Sequence, residues 1–169
     1  DDPALIVQNH RIQGEPLPGL FVPENGYWYQ PLRDLSHAVD WRLWGESPAG
    51  HRAVNVLLHA LSAVLLFLVI RLLLADKSNI ATAAAFGTAL LFIVHPVNVE
   101  PVIWIAGREF GLFAFFLFAA TYCWLRPGRG WLAGACGLAL LAMLSSPLGA
   151  VLPLLWISLR AAPRPAARS

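Results

Sequence analysis

Long uncharged runs alternate with short polar connections along this chain. No charged side chain occurs from Ala53 to Ile70, and none from Ser78 to Val99. As a helix, Ala53–Leu74 extends about 33 Å at 1.5 Å per residue, enough to cross a hydrocarbon core about 30 Å thick. Four shorter apolar segments follow: Ile80–His95, which stops at Pro96, then Phe110–Leu125, Gly130–Ser145 and Leu148–Leu159. Pro147 separates the last two, which read as two crossings or as a re-entrant hairpin, with the charges favouring crossings. Ahead of these runs, residues 1–50 are polar and rich in Pro and Gly. Within them Pro31 opens a stripe of Leu32, Leu35, Val39 and Leu43 that Gly45 ends, with Arg33, Asp34 and Asp40 mostly off that face. The spacing predicts a short amphipathic helix. Tyr27, Trp28, Tyr29, Trp41 and Trp44 crowd the same region, so the helix is expected to lie on the membrane surface.

The fold class this pattern predicts is an all-α integral membrane protein with about five transmembrane segments and an outer-face N-terminal region. The organisation is 1–52 outer region with the interfacial helix, 53–160 transmembrane helical domain, and 161–169 a basic tail expected to be disordered. Composition agrees: 13% of residues are charged, against roughly a quarter in soluble domains. The net charge of +2 includes no basic run suited to nucleic acid. Cys123 and Cys136 fall in apolar segments and read as small core residues, not a disulfide. Gly130, Gly134 and Gly137 mark a weak small-residue face for helix packing.

Charge also sets an expected orientation. With residues 1–52 outside, Arg71–Lys77, Arg126–Arg129 and the tail hold seven of the twelve basic residues and one acid, Asp76. That satisfies the positive-inside rule. The expected location is a bacterial inner membrane, residues 1–52 periplasmic and the tail cytoplasmic. The connection "HPVNVEPVIWIAGREF" then lies on the outer face, where His95, Glu100 and Arg108 form a candidate polar site. Asp1 and Asp2 are a carboxylate pair suited to metal binding or general base work, or simply to solvation. His59, inside the first span, suits tetrapyrrole ligation or an interhelical hydrogen bond, and Asn55 one turn earlier favours the bond. His59 and His95 are weak cofactor candidates. No phosphate loop, nucleophile elbow or paired-cysteine metal site is present in the sequence. The residues alone therefore define a polytopic membrane protein with a polar outer-face cluster.

Four segments carry a resemblance: "DDPALIVQN", "YQPLRDLSHAVDWRLWGESPAGHRAVNVLLHAL", "HPVNVEPVIWIAGREF" and "SSPLGAVLPLL", in that order. Together they resemble the N-terminal membrane part of the transmembrane and tetratricopeptide-repeat O-mannosyltransferase-like family. The resemblance covers residues 1 to about 155 and implies a GT-C glycosyltransferase fold and a polyprenyl-phosphate sugar donor. It also implies a catalytic acid in the first outer loop, matched by Asp1 and Asp2. Asn55, His59, His95, Glu100, Trp104 and Arg108 match positions typical of the family, so an active enzyme would use Asp1, Asp2, Glu100 and Arg108. The start at Asp1 leads to the expectation that a first span precedes it. Three positions depart from the family pattern: Gln30 and Ser146 stand where a cation is usual, and Phe110 where an acid is usual. The departures, and a chain shorter than the family's membrane domain, lead to the expectation of an enzyme remnant. Its role would be a non-catalytic accessory subunit packed into a respiratory or photosynthetic membrane complex. Such a subunit needs no cofactor of its own, apart from bound lipid or polyprenyl phosphate. Its partners would be other integral membrane subunits and lipids. The alternatives are a polyprenyl-phosphate-sugar-dependent glycosyltransferase and a lipid-binding pseudoenzyme.

Overall fold

The computed structural model describes residues 9–14, 16–23, 29–76 and 78–161. Their regular structure is all helical, without strands. A short helix α1 (His10–Gly14) and a 3₁₀ turn (Leu17–Phe21) precede α2 (Pro31–Trp44) and the long α3 (Pro48–Leu74). After α3 come α4 (Asn79–Val94), α5 (Val99–Ile103), α6 (Arg108–Trp124), α7 (Arg129–Ser145) and α8 (Leu152–Ala161).

Helix α2 begins and ends where expected. Pro31 opens it, where a missing N–H costs nothing, and Gly45 closes it at φ 55, ψ −129, a conformation that needs glycine. Which face is buried differs from expectation. The buried positions are Pro31, Asp34, His37, Ala38 and Asp40, while Val39 and Leu43 of the apolar stripe are exposed. Leu35, with Trp41, packs instead on Ile12, Leu20 and Ala38. The polar ridge turns inward because buried polar partners on α3 and α6 await it, described below. Arg11 ties the preceding turn together by donating through Nη2 to the carbonyls of Gly19, Leu20 and Val22.

Helix α3 starts five residues before the uncharged run. Hydropathy marks the lipid-length part of a helix, whereas Pro48 marks its first turn. Helix α4 is capped by Ser78, whose Oγ accepts from the Ala81 N–H at 3.2 Å, and Asp76 accepts in turn from the Ser78 N–H and hydroxyl. The hydrogen bonds from Ser78 hold the Asp76 carboxyl below its ordinary pKa. Ala81, Ala85 and Ala89 form the buried stripe of α4, which packs against α3. Arg71 of α3 bonds the Thr82 hydroxyl of α4.

Pro96 ends α4. Lacking an N–H, it leaves the Phe92 carbonyl without its helical donor. Asn98 Nδ2 supplies one at 2.6 Å, and His59 of α3 donates to the next carbonyl, Ile93, at 3.3 Å while its ring stacks on Phe92. The chain bends by 53° at this break.

Helices α6 and α7 pack along their length, with α8 beside them. Their core is Ala120, Ala142 and Leu152 surrounded by Phe113, Phe116, Leu138 and Trp156. Trp156 donates to the Thr121 hydroxyl at 3.3 Å and stacks on Trp124. The small-residue face expected at Gly130, Gly134 and Gly137 contributes little. A Cβ at Gly130 or Gly137 would meet nothing within 4 Å, and close packing falls to alanines instead. Gly149 is different: a Cβ there would lie 2.5 Å from the Met143 backbone nitrogen, so the Pro147–Val151 turn folds directly onto the end of α7. Cys123 and Cys136 are both free, and Cys136 faces outward, not into a core.

Two helical segments, Pro48–Leu74 and Ile105–Trp124, are long and apolar enough to cross a membrane. A third results if Asn79–Val94 and Pro96–Ile103 form one broken span. Arg129–Ser145 and Pro147–Arg160 are apolar but shorter. The described residues thus form an all-helical membrane protein in which two helices, or three counting the bent pair, have the length and composition of a span, against the five segments expected from the apolar runs. Runs of 12–16 residues mark buried packing as readily as lipid crossing.

Candidate functional site

The largest fully buried side chain among the described residues is Arg108, at the first position of α6. Its Nε donates to Asn55 Oδ1 at 2.8 Å and its Nη2 to the His51 carbonyl at 2.6 Å. Through Nη1 it pairs with Asp40 Oδ2 and reaches the Ser36 carbonyl at 3.5 Å. One guanidinium therefore joins α2, α3 and α6. The rigid fork of donors suits this task, and a buried cation is tolerable only with such complete pairing. Asn55 is used at both ends, since its Nδ2 donates to the Trp104 carbonyl at 3.2 Å.

Around Arg108 lie His37, Asp40 and His51, all buried. Their potential ligand atoms lie within 4.8 Å of one another. His51 Nδ1 stands 3.5 Å from Asp40 Oδ2, and His51 Nε2 is 3.1 Å from the Gly45 carbonyl. Neither ring nitrogen of His37 has a hydrogen-bond partner, and His51 Nδ1 has none. Burial, then the charges of Arg108 and Arg33, hold His37 well below the usual imidazole range. Burial pushes the Asp40 carboxyl up, against the pull of Arg108. Beside this cluster Arg33 pairs with Asp34 at 2.8 Å and, more loosely, with Glu109 at 3.4 Å.

The residues singled out from sequence are scattered by the fold. Asp1 and Asp2 lie outside the described residues, as do Tyr27, Trp28 and the tail beyond 161. Glu100 is exposed on α5 and is not among the partners of Arg108. His95 is exposed, and its Nδ1 accepts from the Val97 N–H at 3.2 Å. His59 is occupied with the Ile93 carbonyl. So of His95, Glu100 and Arg108, only Arg108 enters the buried site. Sequence reasoning missed His37, Asp40 and His51. A signal existed in the three-residue spacing of Asp34, His37 and Asp40, which places them along one side of α2. It was masked by the competing leucine stripe.

With the geometry in place, relatives carry the family assignment. The chain is 34% identical over 121 residues to "Protein O-mannosyl-transferase Tmtc1" of Drosophila melanogaster, covering 64% of this chain. It is 32% identical over 147 residues to human "Protein O-mannosyl-transferase TMTC4" (73% of this chain) and 30% identical over 175 residues to the mouse protein of that name (89%). This chain belongs to the transmembrane and tetratricopeptide-repeat O-mannosyltransferase-like family. It spans 13%, 20% and 23% of the length of those three relatives. No family model and no solved structure matches.

Membership in this family overturns the expected role as a non-catalytic subunit of a respiratory or photosynthetic complex, because the relatives are named as transferases. The faulty step was to equate three substituted side chains with lost chemistry. Gln30 and Ser146 are buried, and Phe110 is exposed. A carboxylate is still presented next to Phe110, by Glu109, and it engages Arg33. The membrane location stands, while these relatives come from animals and give no support to a bacterial inner membrane.

Proposed function

We propose that this chain is part of a membrane glycosyltransferase that moves a sugar from a polyprenyl phosphate to a hydroxyl group of a protein. Mannose is the sugar favoured by the names of the relatives. The observation that carries the reading is that similarity to named protein O-mannosyl-transferases extends over as much as 89% of the chain. In the reaction, the acceptor oxygen bonds to the anomeric carbon as the bond from that carbon to the phosphate oxygen breaks. Polyprenyl phosphate departs, and a carboxylate takes the hydroxyl proton. Asp1 or Asp2 is assigned that base role by the family resemblance.

Arg108 takes a role other than phosphate contact. Its guanidinium is enclosed and spoken for by Asp40, Asn55 and two carbonyls, so it positions the outer ends of α2, α3 and α6. Glu100, exposed on α5, is available to line the surface where donor or acceptor arrives.

Orientation follows from two ends of the same helices. The starts of α3 and α6 meet at Arg108, and their ends meet at a cavity of about 320 Å³ lined by Arg71, Asp76, Tyr122 and Arg126 among others. The basic end fits the cytoplasmic side, which assigns residues 1–52 to the opposite face. On this reading α4 with its broken end, and the shorter α7 and α8, complete five crossings.

The test uses the protein expressed from its complete reading frame, supplied with a radiolabelled mannosyl polyprenyl phosphate and acceptor protein. Transfer of label is expected, together with its loss in Asp1→Asn/Asp2→Asn. Transfer that persists in that variant removes the base assignment. A complete protein that neither binds nor consumes the donor overturns the function.

A further inference from the structure

The cluster of His37, Asp40 and His51 has no assigned task in glycosyl transfer, and its hydrogen bonding does not close. The Gly45 carbonyl can only accept, so the proton of a neutral His51 ring sits on Nε2. Nδ1 then carries a bare lone pair, and it points at another acceptor, Asp40 Oδ2, 3.5 Å away. Two lone pairs facing each other in a buried site repel unless something positive lies between them. His37, 2% exposed, adds two ring nitrogens without partners. Buried polar atoms without partners are rare because each loses its hydration and gains no bond in return. One nitrogen from each ring, beside one carboxylate, calls for a common occupant.

We propose that His37, Asp40 and His51 bind one zinc-like divalent cation, with water in the fourth position, clipping α2 to the first turn of α3. The donor set decides the class: two imidazoles and one carboxylate suit Zn²⁺, whereas Mg²⁺ and Ca²⁺ want oxygen ligands. The spacing fits. Tetrahedral Zn²⁺ with bonds of about 2.0–2.1 Å sets neighbouring ligand atoms about 3.3 Å apart. The His51–Asp40 pair already stands at 3.5 Å, and all three groups lie within 4.8 Å. The Gly45 carbonyl on His51 Nε2 is the outer partner that fixes a ligating tautomer. Arg108 opposes cation binding by its charge, but a carboxylate offers about four acceptor directions and can serve guanidinium and metal together. The inference does not depend on the glycosyltransferase reading.

Tag-free full-length chain, stripped with chelator and held in detergent, is titrated with ZnCl₂ by calorimetry. The same protein is titrated with CoCl₂ by visible absorption. One ion per chain is expected, with the ligand-field bands of tetrahedral cobalt and a raised unfolding temperature. His37→Gln and His51→Gln should each weaken binding at least tenfold. His95→Gln, at an exposed position, should leave binding unchanged. No stoichiometric uptake, or unchanged affinity in both cluster variants, overturns the site. If either variant loses its helical circular dichroism, X-ray absorption on zinc-loaded wild-type protein decides. Two imidazole ligands support the site, and sulfur or all-oxygen ligation overturns it.

Discussion

Replacing Arg108 by Met keeps most of the side-chain volume and removes the guanidinium. The structure sets the size of the effect. Asp40 is left as a buried carboxylate without its main partner, and the His51 carbonyl and Asn55 Oδ1 lose their donors. Breaking a buried pair from one side costs about 3–5 kcal/mol, most of it the stranded charge. Replacing Asp40 alone by Leu strands Arg108 in the same way. Removing both charges together relieves the largest penalty, so Asp40→Leu/Arg108→Met is expected to be more stable than the sum of the single variants by about 2 kcal/mol or more. The assay is equilibrium unfolding in mixed micelles followed by circular dichroism, run as a double-mutant cycle in the presence of chelator. Single variants that cost under about 1 kcal/mol, or effects that add to within about 0.5 kcal/mol, would refute the claim that this pair locks α2 to α6.

Two further outcomes test the frame around the site. Ser78→Ala removes the hydroxyl that caps α4 and should cost about 1 kcal/mol of stability, measured by the same unfolding assay, with Ser78→Asp retaining most of it. Gly149→Val forces side-chain atoms into the Met143 backbone and should destabilise by about 1–3 kcal/mol. A neutral Gly149→Val would show that the turn after α7 is not packed as described.

What could be read from the sequence follows from which signals are local. Pro31, Gly45 and Pro96 act through their own backbones, so the ends of α2 and the stop of α4 were legible, whereas the start of α3 at Pro48 was hidden behind the uncharged run that begins at Ala53. The uncharged runs marked helices, but not how many of them are long enough to cross a bilayer. The family resemblance was legible because it rests on four ordered segments. The inward face of α2 was not, since Asp34, His37 and Asp40 look like a solvated side until Arg108, 68 residues beyond Asp40, is known to meet it. Arg108 itself stood out as a cation between apolar segments, but its grouping with His95 and Glu100 came from proximity along the chain. The fold instead pairs it with residues from two other helices.

The break at Pro96 has a consequence for how the protein is made. Its two bare carbonyls are supplied from different places: Asn98 serves Phe92 from just downstream, while His59 serves Ile93 from the preceding helix. On the proposed five-crossing topology, a nascent α4 arriving alone in lipid would expose the Ile93 oxygen to hydrocarbon. Accompanied by α3, it would not. The cheapest route into the bilayer is therefore for the two helices to enter as a hairpin, so that the unit of insertion is a pair.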